Sequence, residues 1–219
     1  MTGPRVAGKA LPTAESLRAT AERGFDRAEL HCPPWTLDDV AETAATVRES
    51  PLTAASVHTP HVCPDDLDPI LAADRLARRL ETTLVVHTQH LQHTRVPTVE
   101  ALGLSADRAY ENNPGASVRH LEATILDRGL DLVVDTAHLY MAHESYRDRL
   151  AELLDRYGDR IPVVHLTDAT PREDGLPFGE GESDLPALGR LLKERHEGTV
   201  VLEVMPDHQR AALEQFREF

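Results

Sequence analysis

The chain has 219 residues, of which 23 are basic and 37 acidic, so its formal net charge is −14. This length predicts one domain over residues 1–219 with a substantial core, and an apolar content of 41% excludes wholesale disorder. No apolar run approaches the roughly 20 residues that cross a bilayer, so we expect no membrane span. No long apolar segment follows residues 1–5, and the two cysteines, Cys32 and Cys63, are too few for a disulfide scaffold. We therefore predict a cytoplasmic protein with free thiols and no secretion signal.

The charge also decides which partners we expect. A surface with this net charge repels phosphate backbones and anionic lipid headgroups, so neither nucleic acid nor a membrane is an expected partner. Only Lys9 and Lys193 are lysines, and the other basic residues are arginines. This pattern is typical both of a surface adapted to a salty cytoplasm and of an ordinary acidic enzyme from a GC-rich genome. The number of subunits stays open, a homo-oligomer included.

Strand-like and helix-like stretches alternate along the chain. Short apolar stretches, several of them rich in β-branched residues, predict eight strands. They cover residues 5–10, 27–31, 54–59, 82–88, 109–112, 130–135, 162–166 and 199–204. The intervening stretches predict helices over residues 13–23, 36–49, 67–80, 117–128, 144–157, 185–195 and 207–216. Thr13 and Gly24 are suited to cap the first helix, and Asp38 and Asp39 lie near the start of the second. Between the fourth and fifth strands, residues 98–104 offer barely two helical turns.

Eight strands that alternate with helices favour parallel pairing through right-handed crossovers. The predicted fold is therefore a single, compact (β/α)8 TIM barrel with a reduced segment between strands 4 and 5. The alternative is an open, doubly wound sheet. Because no glycine-rich dinucleotide fingerprint follows the first strand, the sequence favours the barrel.

Acidic and histidine side chains occur at or just past the carboxyl ends of six predicted strands. In chain order these residues are His58, His87, Glu111, Asp135, His138, His165, Asp168 and Glu203. The carboxyl ends of barrel strands converge on one rim, where enzymes with this fold carry their active sites. One polar residue at a strand end is often only leaving the core. A carboxylate inside an apolar strand such as VVLEV, however, costs several kcal/mol unless it is paired or bound to metal. A bound metal is therefore the simplest explanation of the set.

The residue types narrow the choice of metal. Two glutamates, an aspartate and a histidine offer mostly oxygen ligands, which suit Mn²⁺, Mg²⁺ or Co²⁺ and are compatible with Zn²⁺. A zinc-finger site is excluded because neither Cys32 nor Cys63 has a CxxC partner. We predict one divalent metal ion.

Several motifs of the chain resemble the xylose isomerase-like TIM barrel superfamily. They are ENNPG at 111–115, VVDTAHLYMAH at 133–143, VVHLTDA at 163–169, GEG at 179–181 and VVLEV at 200–204. SVHTPH at 56–61 and VVHTQH at 85–90 fit the third and fourth strands of the same superfamily. Its members include sugar isomerases and epimerases, hydroxypyruvate isomerases and apurinic-site endonucleases.

The resemblance implies roles for individual residues. The metal set that matches the superfamily is Glu111, Asp135, His165 and Glu203. Glu111 and Glu203 would also act as the catalytic acid and base, and His138 would be a further catalytic residue near the substrate. His58 and His87 match positions that line the substrate pocket in the isomerases and bind further metal in the nucleases. Asp168 matches the aspartate of a His-x-x-Asp motif, and Arg172 matches, more loosely, an arginine that contacts substrate oxygen. The resemblance makes both of them candidate substrate-binding residues.

These correspondences imply a metal-dependent isomerase or epimerase of a small sugar, sugar acid or keto acid. It would transfer a proton next to a carbonyl through a metal-stabilised enediolate. Two alternatives stay open: an apurinic-site endonuclease-like phosphodiesterase with an incomplete metal cluster, and a non-catalytic metabolite-binding barrel. The nucleases carry an Asp-x-His pair after the seventh strand, whereas this chain has Glu173-Asp174-Gly175. The short segment between the fourth and fifth strands implies a reduced lid over the pocket.

Overall fold

Strands and helices alternate in the computed structural model, which describes residues 3–61, 65–87 and 95–219. The strands are β1 (Arg5–Ala10), β2 (Arg27–His31), β3 (Thr53–His58), β4 (Thr83–Val86), β5 (Arg108–Glu111), β6 (Asp131–Asp135), β7 (Val163–Leu166), β8 (Asp168–Thr170), β9 (Glu173–Leu176) and β10 (Thr199–Leu202). The helices are α1 (Ala14–Glu22), α2 (Val40–Glu49), α3 (Asp68–Leu80), α4 (Val96–Glu100), α5 (Val118–Thr124), α6 (Thr136–Ala142), α7 (Tyr146–Tyr157), α8 (Leu185–Arg195) and α9 (Gln209–Glu218). No helix among the described residues is long and apolar enough to cross a membrane.

Eight of the strands form a closed parallel barrel in the order β1-β2-β3-β4-β5-β6-β7-β10. The barrel closes where β1 pairs with β10, with Val6 opposite Val200. The predicted (β/α)8 barrel is therefore confirmed. Among the described residues between β4 and β5, α4 is a helix of only five residues, in agreement with the predicted reduced segment.

Two apolar layers hold the barrel together. The larger layer lies between strands and helices, where Leu30, Leu84 and Leu132 are fully buried. The smaller layer fills the barrel interior, and it consists of Ala7, Val85, Ala109, Val133, Val163 and Val201, all 0–1% exposed. Alanine and valine suit this position because a barrel of eight strands leaves room for side chains only. The interior is therefore packed with apolar groups directly below the carboxyl ends of the strands.

Helix starts follow the capping chemistry of the sequence. The Thr13 hydroxyl accepts a hydrogen bond from the Ser16 backbone N–H at 3.3 Å, so the predicted cap of the first helix is confirmed. The predicted helix over residues 36–49 is wrong at its start, because Pro34–Leu37 is a 3₁₀ turn and α2 begins only at Val40. The Asp39 carboxylate explains this boundary, since it caps α2 by accepting two backbone N–H bonds at 3.0 Å.

Two features of the structure are absent from the sequence prediction. Helix α6 begins directly after β6, whereas we expected a loop there and a single helix over residues 144–157. Strands β8 and β9 form an antiparallel hairpin just after β7.

Cys32 is a buried free thiol, and burial raises its pKa to about 12. Cys63 lies outside the described residues. So does Thr88, the residue at which we predicted the fourth strand to end.

His196, which follows α8, predicts how stability depends on pH. The residue is buried, its Nε2 lies 3.4 Å from the Thr199 carbonyl oxygen, and burial lowers its pKa from 6.5 to about 4. The folded chain therefore keeps this imidazole neutral while the unfolded chain protonates it near pH 6.5. Its contribution to stability is complete above pH 6.5 and is lost as the pH falls toward 4.

We expect His196→Gln to make the protein less sensitive to acid. Between pH 7 and pH 5, the free energy of unfolding of the wild type should fall by about 2 kcal/mol more than that of the variant. Urea unfolding at both pH values measures the difference. The other histidines are the same in both proteins, so their contributions to the pH dependence cancel. If the free energy of unfolding fell equally in both proteins, His196 would not be the group that makes the fold sensitive to acid.

Candidate metal centre

The candidate site is built by strand alternation. Side chains two residues apart on a strand point to the same face, so each residue two positions after the interior apolar layer also points inward, one level closer to the rim. Six residues stand in this position: Lys9, His87, Glu111, Asp135, His165 and Glu203. The sequence therefore places charged groups and imidazoles at the mouth of the barrel, above a closed apolar floor.

Four of the predicted residues meet at one point. Glu111, Asp135, His165 and Glu203 each offer a ligand atom, and these atoms all lie within 4.8 Å of one another. Nδ1 of His165 lies 3.0 Å from Oε1 of Glu111 and 2.9 Å from Oε2 of Glu203. The predicted metal set is thus assembled at the rim from β5, β6, β7 and the residue after β10.

The hydrogen bonding of this cluster fits a divalent cation. Nδ1 of His165 carries at most one proton and therefore donates to only one of the two glutamates. Oε2 of Glu203 is buried without a hydrogen-bond donor among the described residues. A buried carboxylate oxygen without a donor is costly, and a cation shared by three carboxylates and an imidazole removes that cost. The donors are mostly oxygen, as Mn²⁺, Mg²⁺ and Co²⁺ prefer.

Burial and neighbouring charges shift the ionisation of these groups. Burial alone would raise the pKa of Glu111 and of Glu203. Hydrogen bonds from His165 and His58 nevertheless hold the pKa of Glu111 well below its ordinary value, and the positive charges of Lys9 and His165 hold that of Glu203 well below its ordinary value. Burial raises the pKa of Asp135 to about 6, with His138 opposing the shift. Both glutamates are therefore ionised at neutral pH.

His138 joins the cluster to the β8–β9 hairpin. Its Nδ1 donates to the Asn112 carbonyl oxygen at 2.7 Å, and its Nε2 lies 3.0 Å from Oδ2 of Asp174 on β9. Burial opposes the positive charge, but Asp135 and Asp174 outweigh it and raise the pKa of His138 to about 9. His138 is therefore a cation at the edge of the site, paired with a half-exposed carboxylate.

Imidazoles form the opposite wall of the site. A cavity of about 290 Å³ is lined by His58, His61 and His87 together with Glu111, Asp135, His138 and Glu203. The ring centroids of His58 and His87 are 5.4 Å apart, and those of His61 and His87 are 3.7 Å apart. Burial lowers the pKa of His87 to about 3, so this side chain is neutral and offers hydrogen bonds rather than charge.

Comparison with known proteins identifies the family. The sequence model of the family described as xylose isomerase-like TIM barrel matches residues 107–219, which carry all four residues of the metal set. The chain belongs to this family. A search of curated proteins finds no match.

Solved structures with this xylose isomerase-like fold superimpose over nearly the whole chain. A D-tagatose 3-epimerase-like protein has a TM-score of 0.73 at 18% identity, covering 97% of each chain. A xylose isomerase domain protein from Alicyclobacillus acidocaldarius has a TM-score of 0.71 at 19% identity, covering 100% of this chain and 98% of the other. A D-allulose 3-epimerase from Methylomonas sp. has a TM-score of 0.71 at 17% identity, with the same coverage. At these identities the likeness shows the fold.

Two candidate substrate-binding residues of this xylose isomerase-like barrel lie outside the cavity wall. Arg172 is exposed in the turn between β8 and β9. The Asp168 carboxylate is buried and accepts four backbone N–H bonds of 2.9–3.1 Å, from Ala169, Gly179, Gly181 and Ser183. Asp168 thus holds the loop that contains the GEG motif.

The same loop predicts a sharp steric effect. A Cβ atom on Gly181 would lie 2.3 Å from Oδ1 of Asp168 and 2.6 Å from the Ala169 backbone. We therefore expect Gly181→Ala to lower the free energy of unfolding by about 2 to 3 kcal/mol in urea denaturation. Gly158→Ala is the matched control, because no atom lies within 4 Å of its Cβ and its φ is −51°. A neutral Gly181→Ala would show that this loop repacks freely.

Sequence reasoning missed two charged residues of this xylose isomerase-like site. Lys9 forms an ion pair with Oε1 of Glu203, and its Nζ lies 3.6 Å from Oε1 of Glu29. Glu29 lies 3.1 Å from Nε2 of His165. Both belong to strands to which we assigned only a structural role in the barrel. A charged residue inside a predicted strand could have indicated a site residue, and Lys9 lies two positions after Ala7, on the same face of β1.

Proposed function

We propose that this chain is a divalent-metal-dependent isomerase or epimerase of a small sugar, sugar acid or keto acid. One observation carries the proposal: ligand atoms of two ionised glutamates, an aspartate and a histidine lie within 4.8 Å of one another, and the three carboxylate residues line one cavity. Two carboxylates around a metal-binding centre are what proton transfer next to a carbonyl requires. A purely structural role for three carboxylates in one buried cluster has no comparable rationale.

Glu111, Asp135, His165 and Glu203 would hold the metal ion, which supplies Lewis-acid polarisation of substrate oxygens when bound. Glu111 and Glu203 come from β5 and from the end of β10, on either side of the strands that carry Asp135 and His165. In the proposal they approach the substrate from two sides. One takes a proton from carbon as a carboxylate, and the other returns a proton to carbon after taking one up from water. Because their strands lie on either side of the other two ligands, each glutamate serves one side of the substrate in this proposal.

The remaining cavity residues bind and orient the substrate. His138 is cationic at neutral pH and offers Nε2–H to an oxygen that gains negative charge, in place of its bond to Asp174. His58 and His87 offer neutral imidazoles to hydroxyl groups on the other wall. A volume of about 290 Å³ suits a molecule of a few carbons.

Hydrogen exchange tests the proposal directly. The protein with added Mn²⁺ is incubated in D₂O with a panel of ketoses and with hydroxypyruvate. D-allulose is the first choice, because one Methylomonas sp. epimerase structure contains it. We expect deuterium at a carbon next to the carbonyl of at least one compound. Binding of Mn²⁺ and sugar without exchange across the panel would overturn the proposal and favour the metabolite-binding barrel.

One contact favours a second candidate, the endonuclease-like phosphodiesterase. Nε2 of His58 lies 3.4 Å from Oε2 of Glu111, and His87 stands beside His58, so further metal ions could add to the first. The net charge of −14 opposes DNA binding. Cleavage of abasic DNA that depends on His58 and His87, with more than one metal bound per chain, would support this candidate instead.

A further inference from the structure

A row of polar side chains crosses three neighbouring strands beside the metal set. Lys9 of β1 pairs with Glu29 of β2, and Glu29 pairs with Ser56 of β3 in the barrel ladder. Glu29 and Ser56 are fully buried, and the Lys9 side chain is 18% exposed. We call these residues the Lys9–Glu29–Ser56 row.

Glu29 is bonded to the only imidazole of the metal set. Its Oε2 lies 3.1 Å from Nε2 of His165 and accepts the Ser56 hydroxyl at 2.7 Å. With Nε2–H directed at Glu29, Nδ1 faces Glu111 and Glu203, where the ligand atoms converge, and it would bind a cation once it loses the proton that it donates to Glu111. A carboxylate on the far nitrogen of a metal-binding histidine fixes its tautomer and strengthens it as a ligand.

Lys9 acts on the other end of the set. Its ammonium group is bonded to Oε1 of Glu203, so that Oε2 is the oxygen beside Nδ1 of His165. Each oxygen of Glu203 therefore has a separate neighbour. This arrangement allows Glu203 to offer one oxygen to a cation while the other stays anchored to β1.

We propose that Glu29 and Lys9 are positioning residues that act through His165 and Glu203, Glu29 by orienting the imidazole ligand and Lys9 by anchoring one oxygen of the glutamate. The proposal rests on the proposed function for its catalytic consequence, whereas its metal-binding consequence holds without any activity. The two residues differ in charge, so their removal has opposite effects on the affinity for a divalent cation.

Mn²⁺ affinity is the deciding measurement, made by electron paramagnetic resonance of free Mn²⁺ with the full chain. Glu29→Gln is expected to weaken Mn²⁺ binding by about 10- to 100-fold. Lys9→Met is expected to tighten it by roughly tenfold, because it removes a positive charge paired with a glutamate that would bind the cation. General damage to the barrel would weaken binding in both variants.

Three further variants complete the test. Lys193→Met removes the other lysine, which donates to the Arg217 carbonyl oxygen on the surface, and it should leave Mn²⁺ affinity unchanged. Ser56→Ala removes one hydrogen bond from Glu29 and should weaken binding by about threefold, which keeps the test valid if Glu29→Gln does not fold. Lys9→Arg restores the charge and should return Mn²⁺ affinity to near the wild-type value.

The outcomes separate this inference from the proposed function. With saturating Mn²⁺, Lys9→Met should lower kcat for hydrogen exchange about tenfold with little change in KM, and Lys9→Arg should recover part of it. The inference would be overturned if Glu29→Gln and Ser56→Ala both bound Mn²⁺ with wild-type affinity. It would also be overturned if a folded Lys9→Met variant bound Mn²⁺ more weakly than the wild type. A wild type that binds Mn²⁺ but exchanges no hydrogen would overturn the proposed function alone, since the affinity changes would stand.

Discussion

Replacing Glu203 with glutamine is expected to reduce hydrogen exchange with solvent by about 10³-fold while the barrel stays folded. Glutamine has the size of glutamate and its amide oxygen still accepts from Lys9, but it neither takes up nor returns a proton at neutral pH. The side chain is only partly buried, so the substitution leaves the packing of the core unchanged. Exchange is measured in D₂O with the compound that gives the highest wild-type rate.

Two controls make this result specific to proton transfer. Glu214→Gln makes the same chemical change on an exposed position of α9 and should leave the rate unchanged. Because Glu203→Gln also removes one negative charge from the metal set, the rate is compared at saturating Mn²⁺. A rate within tenfold of the wild type under those conditions would contradict the role of Glu203 in proton transfer.

The second large effect that we expect is a gain in stability on metal binding. Mn²⁺ at about 100 times its Kd should raise the free energy of unfolding by about 2.7 kcal/mol, because the ion binds the folded chain and not the unfolded one. For a chain of this length this corresponds to a rise in Tm of about 5 to 10 °C. Removing the ion with a chelator should reverse the rise and abolish hydrogen exchange.

Asp135→Asn is the matched variant for this measurement. The Asp135 carboxylate accepts the His138 backbone N–H at 2.9 Å and caps α6, and asparagine caps helices equally well. The variant should therefore keep the fold but lose a charged ligand, and Mn²⁺ should no longer raise its Tm. An equal rise in both proteins would place the bound ion elsewhere.

The barrel could be predicted because its pattern is local. Runs such as Thr83–Val86 and Val163–Leu166 are apolar on both faces, and such runs separated by helices have few arrangements other than parallel crossovers. The elements that the prediction missed have no such pattern. The β8–β9 hairpin is short and its strand β9 is mostly exposed, and α6 is capped by Asp135, which we assigned only as a ligand.

The four metal-set residues could be predicted because each follows an apolar strand and matches a motif of the superfamily. Lys9 and Glu29 could not be assigned in the same way, since their roles depend on cross-barrel contacts with Glu203 and His165. Those partners are 194 and 136 residues away in sequence. Asp168 lies on a predicted strand end as the metal ligands do, yet its four hydrogen bonds hold a loop.

The sequence by itself determined the class of fold, the end of the barrel that carries the site, and the four residues that converge there. The fold and the rim follow from hydrophobic periodicity and from the alternation of side chains along a strand, which are properties of neighbouring residues. The choice of those four residues among the eight candidates follows from the resemblance to the superfamily. Only the tertiary structure decided which polar atoms pair: Lys9 with Glu203, Glu29 with His165, and Asp174 with His138. Closing the barrel brings residues that are far apart in sequence within hydrogen-bond range, and no local sequence pattern predicts which of them will pair.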